Sequence, residues 1–167
     1  MISDIKNILE KNNIPFSFHK KNDNLPVDKI DVSLKIENYP ESFPNKIEIL
    51  FVPGIEEATD GLSLLQFYSI LNLRINEKQQ IRYDLISLFS DLNYTLAIGA
   101  FNLNLNEENI YLKYNLSIDQ EQKNNLELLI TRILWLINRH FDTYVGLFVQ
   151  INNETLTYKE IKEKGLL

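Results

Sequence analysis

Four segments of the chain alternate apolar and polar residues with a period of two, the pattern typical of a half-buried β-strand. These segments are 30–37, 47–51, 96–105 and 110–118. The last two flank the acidic turn NEEN. Together they predict a β-hairpin with one face in a hydrophobic core.

In the first strand of this hairpin, the apolar residues shift from even to odd positions partway along. Leu96 and Ile98 occupy even positions, whereas Phe101 and Leu103 occupy odd ones. A shift of one residue turns every later side chain to the other face of the sheet, unless the strand contains a bulge. Glycine adopts the backbone angles of a bulge most easily. We therefore predict a β-bulge at Gly99.

Other segments repeat their apolar residues with the helical period of 3.6. The predicted helices are a first helix capped by Ser3 or Asp4 and ending near 12–13, a helix over 77–92, a long helix over 119–139, and the C-terminal segment TYKEIKEKG. Ser117 and Gln120 have the spacing of a capping box. They predict the start of the long helix.

For three segments, the sequence does not predict a single secondary-structure element. Residues 62–74 fit both periods, although the preceding Asp60-Gly61 turn and the aromatic and branched residues favour a strand. Residues 141–151 fit either a further helix or a strand. Residues 13–29 are polar with two prolines, and they predict no element.

Strands and helices in this order predict an α+β fold, with an antiparallel sheet of about five strands packed by helices. The chain has 167 residues, of which 44% are hydrophobic, and no segment resembles an interdomain linker. We expect a single domain over 1–167 with a substantial core.

Charge and composition exclude several classes of function. The formal net charge is −6, and no basic run exceeds the Lys20–Lys21 pair, so nucleic acid is not an expected partner. Cysteine is absent, which excludes disulfides and thiolate chemistry. The N-terminus lacks the pattern of a signal peptide, and no apolar run is long enough to span a bilayer. We expect a cytoplasmic protein with no membrane partner.

The sequence shows no constellation of catalytic or metal-binding residues. The two histidines, His19 and His140, lie far apart in the chain and lack metal-ligand spacing. His140 is interpreted as a residue of the last turn of the long helix, where its charge suits the helix dipole. The acidic loop 56–61 is interpreted as a solvated turn, because it lacks the ligand spacing of a calcium loop. No phosphate-binding loop or nucleophile elbow occurs. We expect no catalytic residues, no metal and no cofactor.

Two predicted helices carry more apolar surface than one core contact needs. Ile86 and Phe89 widen the stripe of the 77–92 helix, and Leu128 and Trp135 lie opposite the main stripe of the long helix. We expect the 141–151 segment or the N-terminal helix to cover this surface, because such packing is the commoner fate of a second apolar face. The alternative is a partner or dimer interface with Trp135 as its anchor.

The run LNYTLAIGAFNLNLNEENIYLKYNLSID and the later FDTYVGLFVQINNETLTYKEI resemble the YbjN-like proteins. The shared features include Asn93 at a helix end, Gly99-Ala100-Phe101 at a strand start, and Tyr111 and Tyr114 in the return strand. The resemblance covers about 60–162. It implies the fold of type III secretion chaperones and a homodimer that binds proteins and lacks catalytic residues.

These observations predict a noncatalytic protein-binding module, chaperone-like or regulatory, that acts as a homodimer on another protein. Two alternatives are an immunity or antitoxin-type inhibitor, for which a small acidic protein is suited, and an enzyme with an unrecognised site.

Overall fold

A computed structural model describes residues 2–37, 45–59, 62–71 and 73–167. These residues form an α+β fold around one antiparallel sheet with the strand order β1-β2-β3-β4-β6-β5. The strands are β1 (Phe16–His19), β2 (Lys29–Leu34), β3 (Asn45–Phe51), β4 (Ser63–Leu71), β5 (Ala100–Asn104) and β6 (Asn109–Ile118). The predicted fold class is confirmed.

The helices are α1 (Ile2–Lys11), α2 (Ile55–Ala58), α3 (Gln79–Thr95), α4 (Gln120–Lys123), α5 (Leu126–Asn152) and α6 (Tyr158–Glu163). The apolar faces of α1, α3 and α5 pack with one face of the sheet in a single hydrophobic core. α6 adds the fully buried Ile161 to this core. The long helix therefore lies with one side on the core and the other towards solvent.

Strand register explains why one face of the sheet is apolar. Ile30 pairs with Ile49, Ile49 with Phe67, and Phe67 with Tyr114. Because directly opposite residues point to the same side of a sheet, these side chains line up across four strands. The period-two alternation of the sequence thus becomes one continuous apolar layer.

An aromatic cluster joins the sheet to α3 and α5. The Phe101 ring meets those of Phe141 and Phe148 edge to face, with centroids 5.2 and 5.0 Å apart. Phe89 also contacts the Phe148 ring edge to face, at 5.2 Å. Such pairs stabilise a core beyond the area they bury. The cluster fixes α3 beside the C-terminal half of α5.

The sheet has six strands where the sequence predicts about five. The additional strand is β1, which lies in the polar segment 13–29. Only Phe16 and Phe18 alternate there, too few for a periodic pattern, and pairing with β2 stabilises the strand. The ambiguous segment 62–74 contains β4, so the preference for a strand is correct. The Asp60-Gly61 turn lies outside the described residues.

The long helix differs from its prediction at both ends. The segment 141–151 is helical and continues the helix without a break, so α5 ends at Asn152 and not near 139. At the other end, the predicted cap at Ser117 is wrong, because Ser117 lies within β6. Asp119 and Gln122 instead exchange side-chain hydrogen bonds with each other's backbone N–H at the start of α4.

The predicted bulge at Gly99 is also wrong. β5 begins at Ala100, so Leu96 and Ile98 belong to the loop after α3. They therefore take no part in the alternation of the strand. The Asn93 side chain fixes this loop by bonding to both the N–H and the carbonyl of Phe101. Gly99 has a φ of +71°, a left-handed backbone that favours glycine as predicted, but the residue lies in this loop and not in a bulge.

Candidate partner-binding surface

The solvent-facing side of α5 carries an unusual set of large side chains. Leu128 is 48% exposed and Trp135 is 64% exposed, and Arg132 and Arg139 are also exposed. We name this surface the α5 ridge: Leu128, Arg132, Trp135 and Arg139. An exposed tryptophan between two arginines has the composition of a binding hot spot.

Helix geometry places the four residues of the α5 ridge in one line. Their spacing is four, three and four residues, which confines them to an arc of about 60° at 3.6 residues per turn. The eleven residue steps from Leu128 to Arg139 rise by about 16 Å. The α5 ridge therefore has the length of three turns of a partner helix.

The opposite side of α5 is buried, and this orients the α5 ridge towards solvent. Ile130, Ile137 and Phe141 are fully buried in the core. Polar contacts fix the helix against the end of β2: the Asn138 amide donates to the Lys35 carbonyl at 3.0 Å, and the Asp142 carboxylate accepts from the Glu37 N–H at 2.6 Å. Because these contacts fix the rotation of α5, Trp135 points into solvent.

The α5 ridge is electropositive although the chain as a whole is acidic. No Asp or Glu occurs from 128 to 141. Within the described part of the chain, neither Arg132 nor Arg139 forms an ion pair. The acids that flank this stretch of the helix are both engaged elsewhere. The Glu127 carboxylate pairs with the Lys11 ammonium at 2.7 Å, and the Asp142 carboxylate accepts from the Glu37 N–H. Both guanidinium groups are therefore available to a partner.

The two segments expected to cover Leu128 and Trp135 leave them exposed. The 141–151 segment continues α5 and so cannot fold back over it. The end of α1 reaches the start of α5, where Lys11 and Asn12 bond to Glu127. α1 therefore lies beside the first turn and leaves Trp135 in solvent.

The four residues predicted as an interface do not form one surface. Phe89 is only 3% exposed and belongs to the aromatic cluster of the core. Ile86 is 53% exposed, but it lies on α3. α3 packs near Phe148, which is about 20 Å along α5 from Trp135 at 1.5 Å per residue. The structure thus brings together Leu128 and Trp135 and places Ile86 elsewhere.

Ile86 belongs to a second exposed line of residues. Tyr83 is 64% exposed, Tyr94 is 93% exposed, and both lie on the same side of α3 as Ile86. We name these three residues the α3 ridge. It carries no formal charge, which distinguishes it from the α5 ridge.

The histidines stand in separate surroundings and share no site. The His19 Nε2 lies 3.1 Å from an Asp31 carboxylate oxygen, and Lys29 and Lys46 also pair with Asp31. His140 lies in the middle of α5, so its predicted place in the last turn is wrong. Burial lowers the pKa of the His140 imidazole. Among the described residues, no group of three or more His, Cys, Asp or Glu side chains could hold a metal ion.

A groove of about 500 Å³ lies where α3, α5 and α6 meet. At its edge, the Asp91 carboxylate accepts hydrogen bonds from the Tyr158 hydroxyl at 2.7 Å and the Lys162 ammonium at 2.8 Å. These bonds lower the pKa of Asp91. Both bonds hold α6 against α3, so these contacts of the Asp91 carboxylate are structural.

Sequence reasoning did not find Arg132 and Arg139 as members of the surface. The signal was present, because both residues fall on the same helical face as Leu128 and Trp135 when the spacing is counted. Two arginines seven residues apart do not form a basic run, so the charge pattern alone does not indicate them.

No family model, no curated protein and no solved structure matches this chain. The YbjN-like resemblance and its secretion-chaperone fold therefore stay predictions. No helix in the described segments is both long and apolar enough to cross a membrane.

Proposed function

We propose that this chain is a noncatalytic protein-binding module, chaperone-like or regulatory, that holds another protein on the α5 ridge. The observation that supports this proposal is Trp135, which is 64% exposed at the centre of the α5 ridge, between two arginines that form no ion pair with any described residue. The few residues that dominate binding energy in protein interfaces are enriched in tryptophan, tyrosine and arginine.

The fold supplies a rigid platform for such a contact. α5 has 27 residues, and its buried face belongs to the hydrophobic core from Leu126 to Ile151. A partner that binds the outer face does not have to order a loop first, so little of the binding energy is lost to conformational entropy.

The homodimer implied by the resemblance would need a different surface. The α3 ridge is uncharged and lies on a different helix from Trp135, so it supports self-association without competing for the α5 ridge. We include a second copy bound through Tyr83, Ile86 and Tyr94 in the proposal.

Capture of the native partner tests the function. We expect the tagged chain to retain one stoichiometric protein from a lysate of its own cells, identified by mass spectrometry. Trp135→Ala should weaken this binding by about 30-fold or more, since an anchor residue contributes at least about 2 kcal/mol. Leu105→Ala is the matched control, because Leu105 is a large apolar residue that is 54% exposed and lies outside both ridges.

Both variants should unfold in urea with a free energy within about 0.5 kcal/mol of the wild type, as exposed substitutions usually do. Equal capture by Trp135→Ala and wild type would contradict the proposal. Loss of capture in a third variant, Tyr83→Ala, but not in Trp135→Ala, would move the binding surface to the α3 ridge. The identity of the partner then separates a holder of clients from an inhibitor of a toxin.

A further inference from the structure

We propose that the α5 ridge binds an acidic amphipathic helix of its partner, an inference that rests on the proposed function. The helix would lay an apolar stripe along Leu128 and Trp135 and place carboxylates against Arg132 and Arg139. Each part of this assignment follows from the spacing, exposure and charge of the ridge.

The spacing of the ridge is that of one side of a helix pair. Residues at intervals of four, three and four lie along the seam where two helices pack at a small crossing angle. Half-buried Leu129 and Leu136 lie beside Leu128 and Trp135 on one side. They extend the apolar strip that a partner helix would cover.

The charges select the partner's polar residues. Arg132 precedes Trp135 by three residues and Arg139 follows it by four, so a guanidinium flanks each end of the indole. Guanidinium groups bind carboxylates in bidentate geometry. A partner helix with Glu or Asp about two turns apart, separated by an apolar residue, complements this arrangement.

The same charges disfavour a second copy of this chain as the occupant. An antiparallel pair of α5 helices centred on Trp135 would set Arg132 of each copy against Arg139 of the other. A parallel pair would set each arginine against itself. Like charges that face each other in an interface oppose association, and each copy also carries a net charge of −6.

An anionic membrane is also disfavoured. Sequence segments that bind acidic lipids carry clusters of about four to eight basic residues, whereas the α5 ridge has two. The acidic remainder of the chain would be repelled by the same lipid surface.

The chain contains one tryptophan, so its fluorescence reports directly on the α5 ridge. The probes are two synthetic, tryptophan-free helical peptides of roughly three heptads, with leucine in the apolar stripe and either Glu or Lys in the flanking positions. We expect the Glu peptide to shift Trp135 emission to the blue and to bind at least about tenfold tighter than the Lys peptide at low salt. The preference should shrink as salt is added.

Charge reversal tests the chemistry itself. The double variant Arg132→Glu/Arg139→Glu should reverse the preference and bind the Lys peptide more tightly. The neutral variant Arg132→Gln/Arg139→Gln should bind both peptides alike. All four substitutions are at exposed positions, and circular dichroism of each variant verifies the fold.

Several outcomes would overturn the inference. They are equal binding of the two peptides, no emission shift with the Glu peptide at millimolar concentration, and an unchanged preference after charge reversal. A blue shift on phosphatidylserine/phosphatidylcholine vesicles in place of the Glu peptide would assign the surface to a membrane. A dimer in sedimentation that is lost in Trp135→Ala would assign it to a second copy.

The failure of this inference and that of the proposed function are distinguishable. If the native partner is lost in Trp135→Ala but retained in Arg132→Glu/Arg139→Glu, the ridge binds a protein that is not acidic. If the native partner is retained in Trp135→Ala, the proposed function itself is wrong, whatever the peptides do.

Discussion

Individual glycines in this chain contribute to stability in opposite directions. Gly99 has a φ of +71°, and a Cβ added there would lie 2.6 Å from Leu112 Cδ2 and 3.1 Å from the Lys113 carbonyl. Gly54 also has a positive φ, of +76°, but open space beside it. Gly146 lies within α5 and has open space as well. Substitutions at the three positions therefore distinguish the effects of steric contact, backbone strain and helix propensity on stability.

Gly99→Ala should destabilise the fold by about 2–3 kcal/mol, through strain of a left-handed backbone and overpacking against the fully buried Leu112. Gly54→Ala should cost only about 1 kcal/mol, since strain is its sole effect. Gly146→Ala should stabilise by about 0.5–1 kcal/mol, because alanine favours a helix. Urea unfolding of the three variants measures these differences. A Gly99→Ala variant as stable as Gly54→Ala would show that Leu112 moves aside freely.

At the scale of elements, α6 depends strongly on its cap because the helix has only six residues. The Thr157 hydroxyl accepts from the Glu160 N–H at 3.2 Å, and the Glu160 carboxylate accepts from the Thr157 N–H at 2.8 Å. This reciprocal capping box satisfies N–H groups that would otherwise lack partners. It keeps Ile161 in the core.

We expect Thr157→Ala to lower the free energy of unfolding by about 1 kcal/mol, the usual cost of losing a hydroxyl cap. Thr157→Ser should retain most of that stability, because serine caps equally well. Hydrogen exchange should show that amide protection within α6 falls first in Thr157→Ala. Uniform loss of protection across the sheet would instead mean that α6 unfolds only with the whole domain.

Elements with regular periods were predictable from the sequence, and elements that depend on partners were not. The alternation in β3 and β6 and the stripe of α3 depend on local order alone, so the sequence predicts them within a few residues. β1 has two inward phenylalanines and owes its existence to pairing with β2. The continuity of α5 past 140 is likewise hidden, because Val145, Leu147 and Val149 also fit a strand.

The candidate surface was predictable only in part. The helical period alone places Leu128 and Trp135 on the face of α5 opposite the core stripe. Phe89 and Ile86 cannot be separated in this way, because both lie at the margin of an apolar arc. Phe89 is buried because Phe101 and Phe148 lie against it, contacts between residues distant in the sequence.

For the whole molecule, low pH reduces stability through two kinds of titrating group, an imidazole and a carboxylate. Burial lowers the pKa of the His140 imidazole below its ordinary value of 6.5. Burial alone would raise the pKa of Asp31, but hydrogen bonds and charge from Lys46 and Lys29 outweigh it and hold this pKa below 3.8. Both groups therefore release protons more readily in the folded state than in the unfolded state.

A folded state that binds fewer protons loses stability as pH falls. The contribution of His140 is complete above pH 6.5 and is lost as pH falls from there towards its lowered pKa; the contribution of Asp31 is complete above pH 3.8 and is lost below it. His140→Gln should therefore flatten the loss of stability just below pH 6.5 and leave the loss at lower pH unchanged. Urea unfolding at closely spaced pH values measures both stages. Parallel curves for variant and wild type would contradict the role of His140.

The strand order also decides when the sheet can be completed during synthesis. The first four strands form neighbours in chain order, but β6 lies between β4 and β5. The nine-residue β4 therefore has an unpaired edge until Asn109–Ile118 has left the ribosome and α3 has crossed the sheet. An exposed strand edge pairs readily with other chains. Aggregation of the nascent chain through the edge of β4 is therefore favoured until β6 pairs with it.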